Sequence, residues 1–218
     1  MIKSCIFDLD GTLLYTLDTI TYYINLTFAK HGINPLSTEE VRIIVGKGAR
    51  DLISSSLRLR NEYRSDEFFE NIFAEYKAEY EKNPTHLTVP YDGVPELIGE
   101  LRRRGIKLGV LSNKPHDATL PIVEHFFSEG FDLVFGAVNG YPLKPDPTRL
   151  IQMTSDFDID ISELLYIGDM ISDIKTGKNA NAGAVGAVLW GYQTKEELLC
   201  SGADAFFEKP SDIVEALI

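Results

Sequence analysis

Asp8 and Asp10 stand one residue apart, followed by Gly11 and Thr12, at the end of the apolar run Cys5-Ile6-Phe7. Such a run reads as a strand covered on both faces, and an unpaired carboxylate is expensive to bury inside one. At the carboxyl end of a strand in an open α/β sheet, the same two acids face the crevice where ligands bind. Residues i and i+2 of a strand point the same way. Gly11 lets the chain turn, so Asp8 and Asp10 can be aimed apart. An Asx turn that caps the next element is the plainer alternative. A calcium loop is excluded, because such a loop wants its glycine at the sixth position, and here glycine comes fourth, with Thr12 fifth.

Three further stretches carry matching chemistry. Ser112-Asn113-Lys114-Pro115 offers a hydroxyl, an amide and an ammonium. Lys144-Pro145-Asp146-Pro147 offers a second ammonium. Gly168-Asp169-Met170-Ile171-Ser172-Asp173 offers two more acids. Each has an ordinary reading by itself: Ser112 as a helix cap, Lys144 as a solvated lysine, Asp169 and Asp173 as acids in a helix's first turn. Together they are an oxygen-only donor set of the kind that holds Mg²⁺. The two Cys and four His show no zinc spacing, and no GxxxxGK[ST] loop is present to cradle a nucleotide. No His or Cys lies beside the acids, which leaves a carboxylate as nucleophile and points to phosphoryl transfer through an aspartyl phosphate. Asp8 is expected to attack. Asp10 is expected to move protons, shielded from the metal so that it can hold one. Lys144 offsets the phosphate charge, with Lys114 as its rival for that role. Gly11, Ser112 and Asn113 are the expected phosphate-binding positions. Gly46-Lys47-Gly48 is a candidate to meet the part of the substrate that does not react, since glycines allow close approach. Arg50 and Arg149 lie near these motifs with no pattern behind them.

The elements that must position these residues alternate in type. Strands are expected at 5–7, 106–111, 131–135, 164–167, 184–189 and 205–207. Helices are expected between them at 94–101, 118–127, 147–154, 171–180, near 196, and from 211. This alternation predicts an α/β fold: a Rossmann-like parallel sheet with helices on both faces. All four motifs then follow strands and meet at one edge. Residues 15–86 break the pattern. Ile20, Ile24, Thr27, Phe28 and His31 share a stripe, Ser37 and Glu40 form a capping pair, and Phe69, Ile72, Phe73, Tyr76 and Tyr80 mark another helix. This block reads as an inserted helical cap, leaving 1–14 and 87–218 as the core.

A chain of 218 residues, 44% apolar, has enough material for one such core and an insertion. With 33 acidic against 21 basic side chains and a net charge of −12, a nucleic-acid or membrane-surface binder is not expected. No apolar run approaches the ~20 residues of a membrane span. The start of the chain lacks the layout of a signal peptide, and two isolated cysteines make no disulfide framework. A cytoplasmic monomer or homodimer acting on a small phosphorylated metabolite is the expectation.

The residues quoted resemble the four motifs, in order, of the haloacid dehalogenase superfamily, phosphatase branch: DxDGT at 8–12, Ser112, Lys144 of a KPxP-like run, and GDxxxD at 168–173. The resemblance covers essentially the whole chain. Ser112-Asn113-Lys114 and the 46–48 loop look most like phosphoglycolate phosphatases and their relatives. The resemblance implies Asp8 as nucleophile, Asp10 as acid and base, and Mg²⁺ held by Asp8, the backbone carbonyl of Asp10, and Asp169, with Asp173 in the outer shell. Dehalogenases lack the second Asp, so its presence favours phosphate chemistry. Relatives often carry an acid shortly after the DGT turn where this chain has Tyr15-Thr16, a departure that touches the cap junction. A sugar phosphomutase of the β-phosphoglucomutase kind, a pyrophosphatase and a phosphate-accepting receiver module are the alternatives.

Overall fold

The computed structural model describes residues 1–128 and 130–217. Its first strand, β1 (Ser4–Phe7), is buried at every position. Its side chains alternate between two apolar clusters: Cys5 and Phe7 join one, and Ile6 packs on the other side with Leu111, Met153 and Tyr166. This is the environment of a central strand with helices on both faces. Its neighbours are β4 (Lys107–Pro115) on one side and β6 (Leu164–Gly168) on the other, both parallel to it. The sheet continues outward through β5 (Leu133–Ala137) beyond β4, and through β7 (Ala184–Val188) and β8 (Ala205–Phe207) beyond β6. The order β5-β4-β1-β6-β7-β8, with all pairs parallel, reverses direction at β1. The carboxyl end of β1 is therefore the topological switch point, where such sheets open a crevice.

The insertion leaves the core just after β1 and returns beside its own exit. The short strands β2 (Leu14–Tyr15) and β3 (Val89–Pro90) pair antiparallel, Leu14 with Pro90 and Tyr15 with Val89. Between them lie four helices: α1 (Leu17–Lys30), α2 (Thr38–Ile44), α3 (Ala49–Leu59) and α4 (Asp66–Lys82). The expected capping pair at α2 is present, with the Ser37 side chain accepting from the Glu40 N–H while Glu40 reaches back to Ser37. Ser65 caps α4 by accepting from the Phe68 N–H, and its stripe Phe69, Ile72, Tyr76 and Tyr80 is buried. Ile24, Phe28, Ile53, Leu57 and Ile72 continue the same apolar cluster that holds Cys5 and Phe7.

The core helices are α5 (Val94–Arg103), α6 (His116–Phe126), α7 (Thr148–Asp156), α8 (Ile171–Asn179), α9 (Lys195–Leu199) and α10 (Pro210–Ala216). One difference from expectation bears on the site. The second core strand does not stop at Leu111 but runs on through Pro115. Its register against β5 slips there, from Leu111 opposite Phe135 to Pro115 opposite Ala137. Four steps along β4 face two along β5. Such a bulge re-aims side chains, here those of Ser112, Asn113 and Lys114.

Candidate active site

Asp8 follows the last residue of β1, its N–H donating to the Ile167 carbonyl at 2.9 Å, so the ladder carries the strand geometry up to the carboxylate. Gly11 then takes φ +89°, a left-handed conformation that favours glycine. A Cβ at Gly11 would stand 2.3 Å from Asp169 Oδ2, so the turn also brings backbone against the second acidic motif. Thr12 ties the two together, its hydroxyl donating to Asp169 Oδ1 at 2.9 Å. The Tyr192 N–H donates to Asp169 Oδ2 at 2.8 Å.

The acids and one lysine form a buried cluster. Lys144 Nζ lies 2.7 Å from Asp8 Oδ1 and 2.7 Å from Asp173 Oδ1. It also donates to the Leu111 carbonyl at 3.2 Å. Asp173 accepts further from the Tyr166 hydroxyl and, on its other oxygen, from the Met170 N–H. Asp8, Asp169 and Asp173 each place an oxygen within 4.8 Å of the others. Burial raises the Asp8 carboxyl well above the usual carboxylate range; Lys144 pulls it back, and Asp173 and Asp169 push it up again. Burial and the charge of Asp173 push Asp169 up to about 7. Lys144 is held above an ordinary lysine because Asp173 and Asp8 outweigh the cost of its burial. One ammonium among three carboxylates leaves negative charge uncompensated. An all-oxygen donor set with that surplus fits a hard divalent cation such as Mg²⁺.

Asp10 stands apart from this cluster, as the Gly11 turn permits. Both of its oxygens lie 3.0 Å from Lys114 Nζ. That ammonium also sits 5.0 Å over the ring of Tyr80, and with Asp10 and Tyr80 beside it its pKa is raised despite burial. The two lysines weighed in the sequence thus face different acids: Lys144 meets Asp8 and Asp173, and Lys114 meets Asp10. Ser112 is buried, its hydroxyl accepting from the Lys114 N–H at 3.2 Å.

The side chain of Asn113 is engaged with backbone groups, which leaves the residue's own backbone N–H, next to Ser112, as the group it would offer a phosphate. Its Oδ1 accepts from the Lys144 N–H at 2.8 Å. Its Nδ2 donates to the Lys144 carbonyl at 3.2 Å and to the Gly46 carbonyl at 2.9 Å. It therefore ties the insertion to the loop that carries Lys144. Gly46 is closed over from the other side by Met170, whose sulfur would lie 2.4 Å from a Cβ there. Gly46 and Gly48 line the cavity between insertion and sheet, whereas Lys47 is exposed and does not. Arg50 pairs with Glu70, and Arg149 is sandwiched between Phe135 and Tyr141, so both have structural work outside the site.

The cavity above the carboxylates holds about 830 Å³ of empty space, its mouth included. Asp8, Asp10, Ser112, Lys114 and Lys144 form its floor. Ile20, Val45, Leu52, Phe73, Tyr76 and Tyr80 form the wall on the insertion side. The place of Tyr80 and Leu52 in the cavity wall, and the backbone partners of the Asn113 side chain, were not foreseen in the sequence. The tyrosines had shown themselves only as a helical stripe, and nothing local marked the carbonyl partners of Asn113.

The chain resembles known proteins along its full length. An N-acetylmuramic acid 6-phosphate phosphatase of Pseudomonas aeruginosa is 32% identical over 99% of this chain and 95% of its own. A phosphoglycolate phosphatase of Rhodospirillum rubrum is 32% identical over 95% and 88%. The crystal structure of a candidate phosphoglycolate phosphatase from Lactobacillus delbrueckii subsp. bulgaricus superposes with a TM-score of 0.92 at 26% identity, covering 99% of this chain and 98% of that one. With residues 5–187 matching the family described as haloacid dehalogenase-like hydrolase, and with phosphatases as full-length relatives, the chain belongs to the phosphatases of that family.

Proposed function

We propose that this enzyme hydrolyses a small organic phosphate monoester through a phosphorylated Asp8, with Mg²⁺ as cofactor, and that residues 15–86 act as a cap over the core of 1–14 and 87–218. The observation that carries the reading is the division of the acids. Asp8, Asp169 and Asp173 gather around Lys144, while Asp10 is turned toward the cap cavity and Lys114.

Asp8, Asp169 and the backbone carbonyl of Asp10 would hold the metal. Asp173, both of whose oxygens are already engaged by Lys144, Tyr166 and Met170, would stay in the outer shell. Bound there, Mg²⁺ would supply positive charge against the acids and the phosphate oxygens. In the first half-reaction an oxygen of Asp8 bonds to phosphorus and the ester oxygen leaves, taking a proton from Asp10. In the second, Asp10 removes a proton from water as its oxygen attacks the phosphorus of phospho-Asp8. The bond between phosphorus and the Asp8 oxygen breaks, inorganic phosphate leaves, Asp8 is a carboxylate again and Asp10 again holds a proton. Asp10 now accepts from Lys114 on both oxygens, so Lys114 must yield one of them when Asp10 carries the proton. Lys144 would offset the charge on the transferred group, with the Ser112 hydroxyl and the amides after Asp8 and Ser112 around its oxygens.

The names of the relatives put 2-phosphoglycolate and N-acetylmuramic acid 6-phosphate on the first assay panel. Phosphate release from at least one phosphomonoester, with transient labelling of Asp8, is the expected result. Turnover that bypasses Asp8 would sink the mechanism.

A further inference from the structure

The floor of the cavity accounts for the phosphate, so the wall must select the alcohol. That wall is hydrocarbon and aromatic: Ile20, Val45, Leu52 and Tyr76 are buried and Phe73 is half-buried. Two ammonium groups border it besides Lys144, and each is matched by one acid. Lys114 is 3.0 Å from Asp10, and Lys77 is 3.5 Å from Glu81, which also lines the space. Among the described residues no arginine lines the cavity, and Lys47 stays outside it. A carboxylate on the leaving alcohol would enter a space where the buried Lys114 is already held by Asp10 and the exposed Lys77 already faces Glu81, and would lose its hydration against the apolar wall. Tyr80 adds one polar mark. Its hydroxyl is buried beside the Lys114 ammonium, which can only donate, and it finds no acceptor among the described residues, though the residue lines the cavity.

We infer that the alcohol part of the substrate is uncharged, bears a hydrocarbon or aromatic face larger than a two-carbon acid, and offers at most one neutral acceptor to Tyr80. This rests on the phosphomonoesterase reading and narrows it, since it sets 2-phosphoglycolate among the poorer substrates. The hydrocarbon face lies against Leu52, Phe73 and Tyr76, and its removal from water is what the wall contributes to binding.

The test compares phosphate release by the full-length protein with Mg²⁺ from benzyl phosphate, ethyl phosphate and 2-phosphoglycolate. Their alcohols are of similar basicity, so the comparison reads the wall and not the leaving-group chemistry. Benzyl phosphate is expected to lead ethyl phosphate in kcat/KM by about 10-fold or more, mostly through KM, with 2-phosphoglycolate below both. Leu52→Lys, which places a cation in the wall, should lower kcat/KM for benzyl phosphate and raise it for 2-phosphoglycolate. Should that variant fail to fold by circular dichroism, Phe73→Ala serves instead and should shrink the lead of benzyl over ethyl phosphate. A kcat/KM for 2-phosphoglycolate at or above that for benzyl phosphate overturns the inference and leaves the phosphatase reading standing. Absence of phosphate release from these and from every other monoester tried removes the reading beneath it.

Discussion

Asp8, the proposed nucleophile, sits in a place that opposes its charge. Burial and two neighbouring acids raise its pKa, and Lys144 at 2.7 Å is the counterweight. Replacing Asp8 by Asn keeps the volume and removes the attacking oxygen, so turnover is expected to fall by roughly 10⁴-fold or more with the fold retained. Phosphate release beside circular dichroism of the variant checks both halves. Asp169 exposes the same opposition to a pH scan. With its folded pKa pushed up to about 7, it holds a proton more tightly folded than unfolded. Its contribution to stability is full below the ordinary carboxylate range and is lost as pH rises through that folded value. Metal-free protein should therefore melt at a lower temperature on the alkaline side of that value than on the acid side. Added Mg²⁺ should narrow the gap, because binding requires the ionised form. Equal melting temperatures on both sides would argue that Asp169 is already ionised without metal.

At the scale of elements, the turn after β1 and the bulge in β4 decide where these groups point. Gly11→Ala adds a Cβ 2.3 Å from Asp169 at φ +89°, and is expected to destabilise the protein by about 2 kcal/mol or more, measured by denaturant unfolding. Asn113, on the bulged part of β4, is bonded to both Gly46 and Lys144. Asn113→Ala should change KM and kcat together, each by about 10-fold, while Asn113→Asp, which can still accept from the Lys144 N–H, should recover part of kcat. Steady-state kinetics on the two variants separate the cap contact from the positioning of Lys144. Much of this arrangement was legible beforehand, for physical reasons. Carboxylates directly after a run such as Cys5-Ile6-Phe7 can belong only to a strand end, and the Ser37–Glu40 pair announces α2 by its spacing. The continuation of β4 through Pro115 was not legible, because Ser112, Asn113 and Lys114 carry polar side chains that read as the end of a buried strand. Nor were β2 and β3, since two-residue strands contain no period to detect. Lys114 shows the limit most clearly. Its distance from Ser112 was plain, but which acid it would meet depended on the direction Gly11 gives Asp10.

The molecule as a whole is strongly acidic, and its site gathers Asp8, Asp169 and Asp173 within 4.8 Å of one another. A chelator is expected to abolish activity and Mg²⁺ to restore it. Saturating Mg²⁺ should also raise the melting temperature, by linkage of roughly 3 kcal/mol at a hundredfold excess over the dissociation constant. Among the described residues, no helix is long and apolar enough to cross a membrane. The pairing of Leu14 with Pro90 and of Tyr15 with Val89 has a wider meaning. Four helices depart from the sheet and return to it through neighbouring residues, so the ends of the insertion stay fixed whatever lies between them. An insertion of another length or sequence joined at that ribbon is expected to leave the parallel ladder and the Gly11 turn in place, provided it restores the contacts that Gly46 makes with Asn113 and Met170. On the proposed division of labour between core and cap, exchanging residues 16–88 between two such chains, with the partners of Gly46 kept, should transplant substrate preference in a single splice.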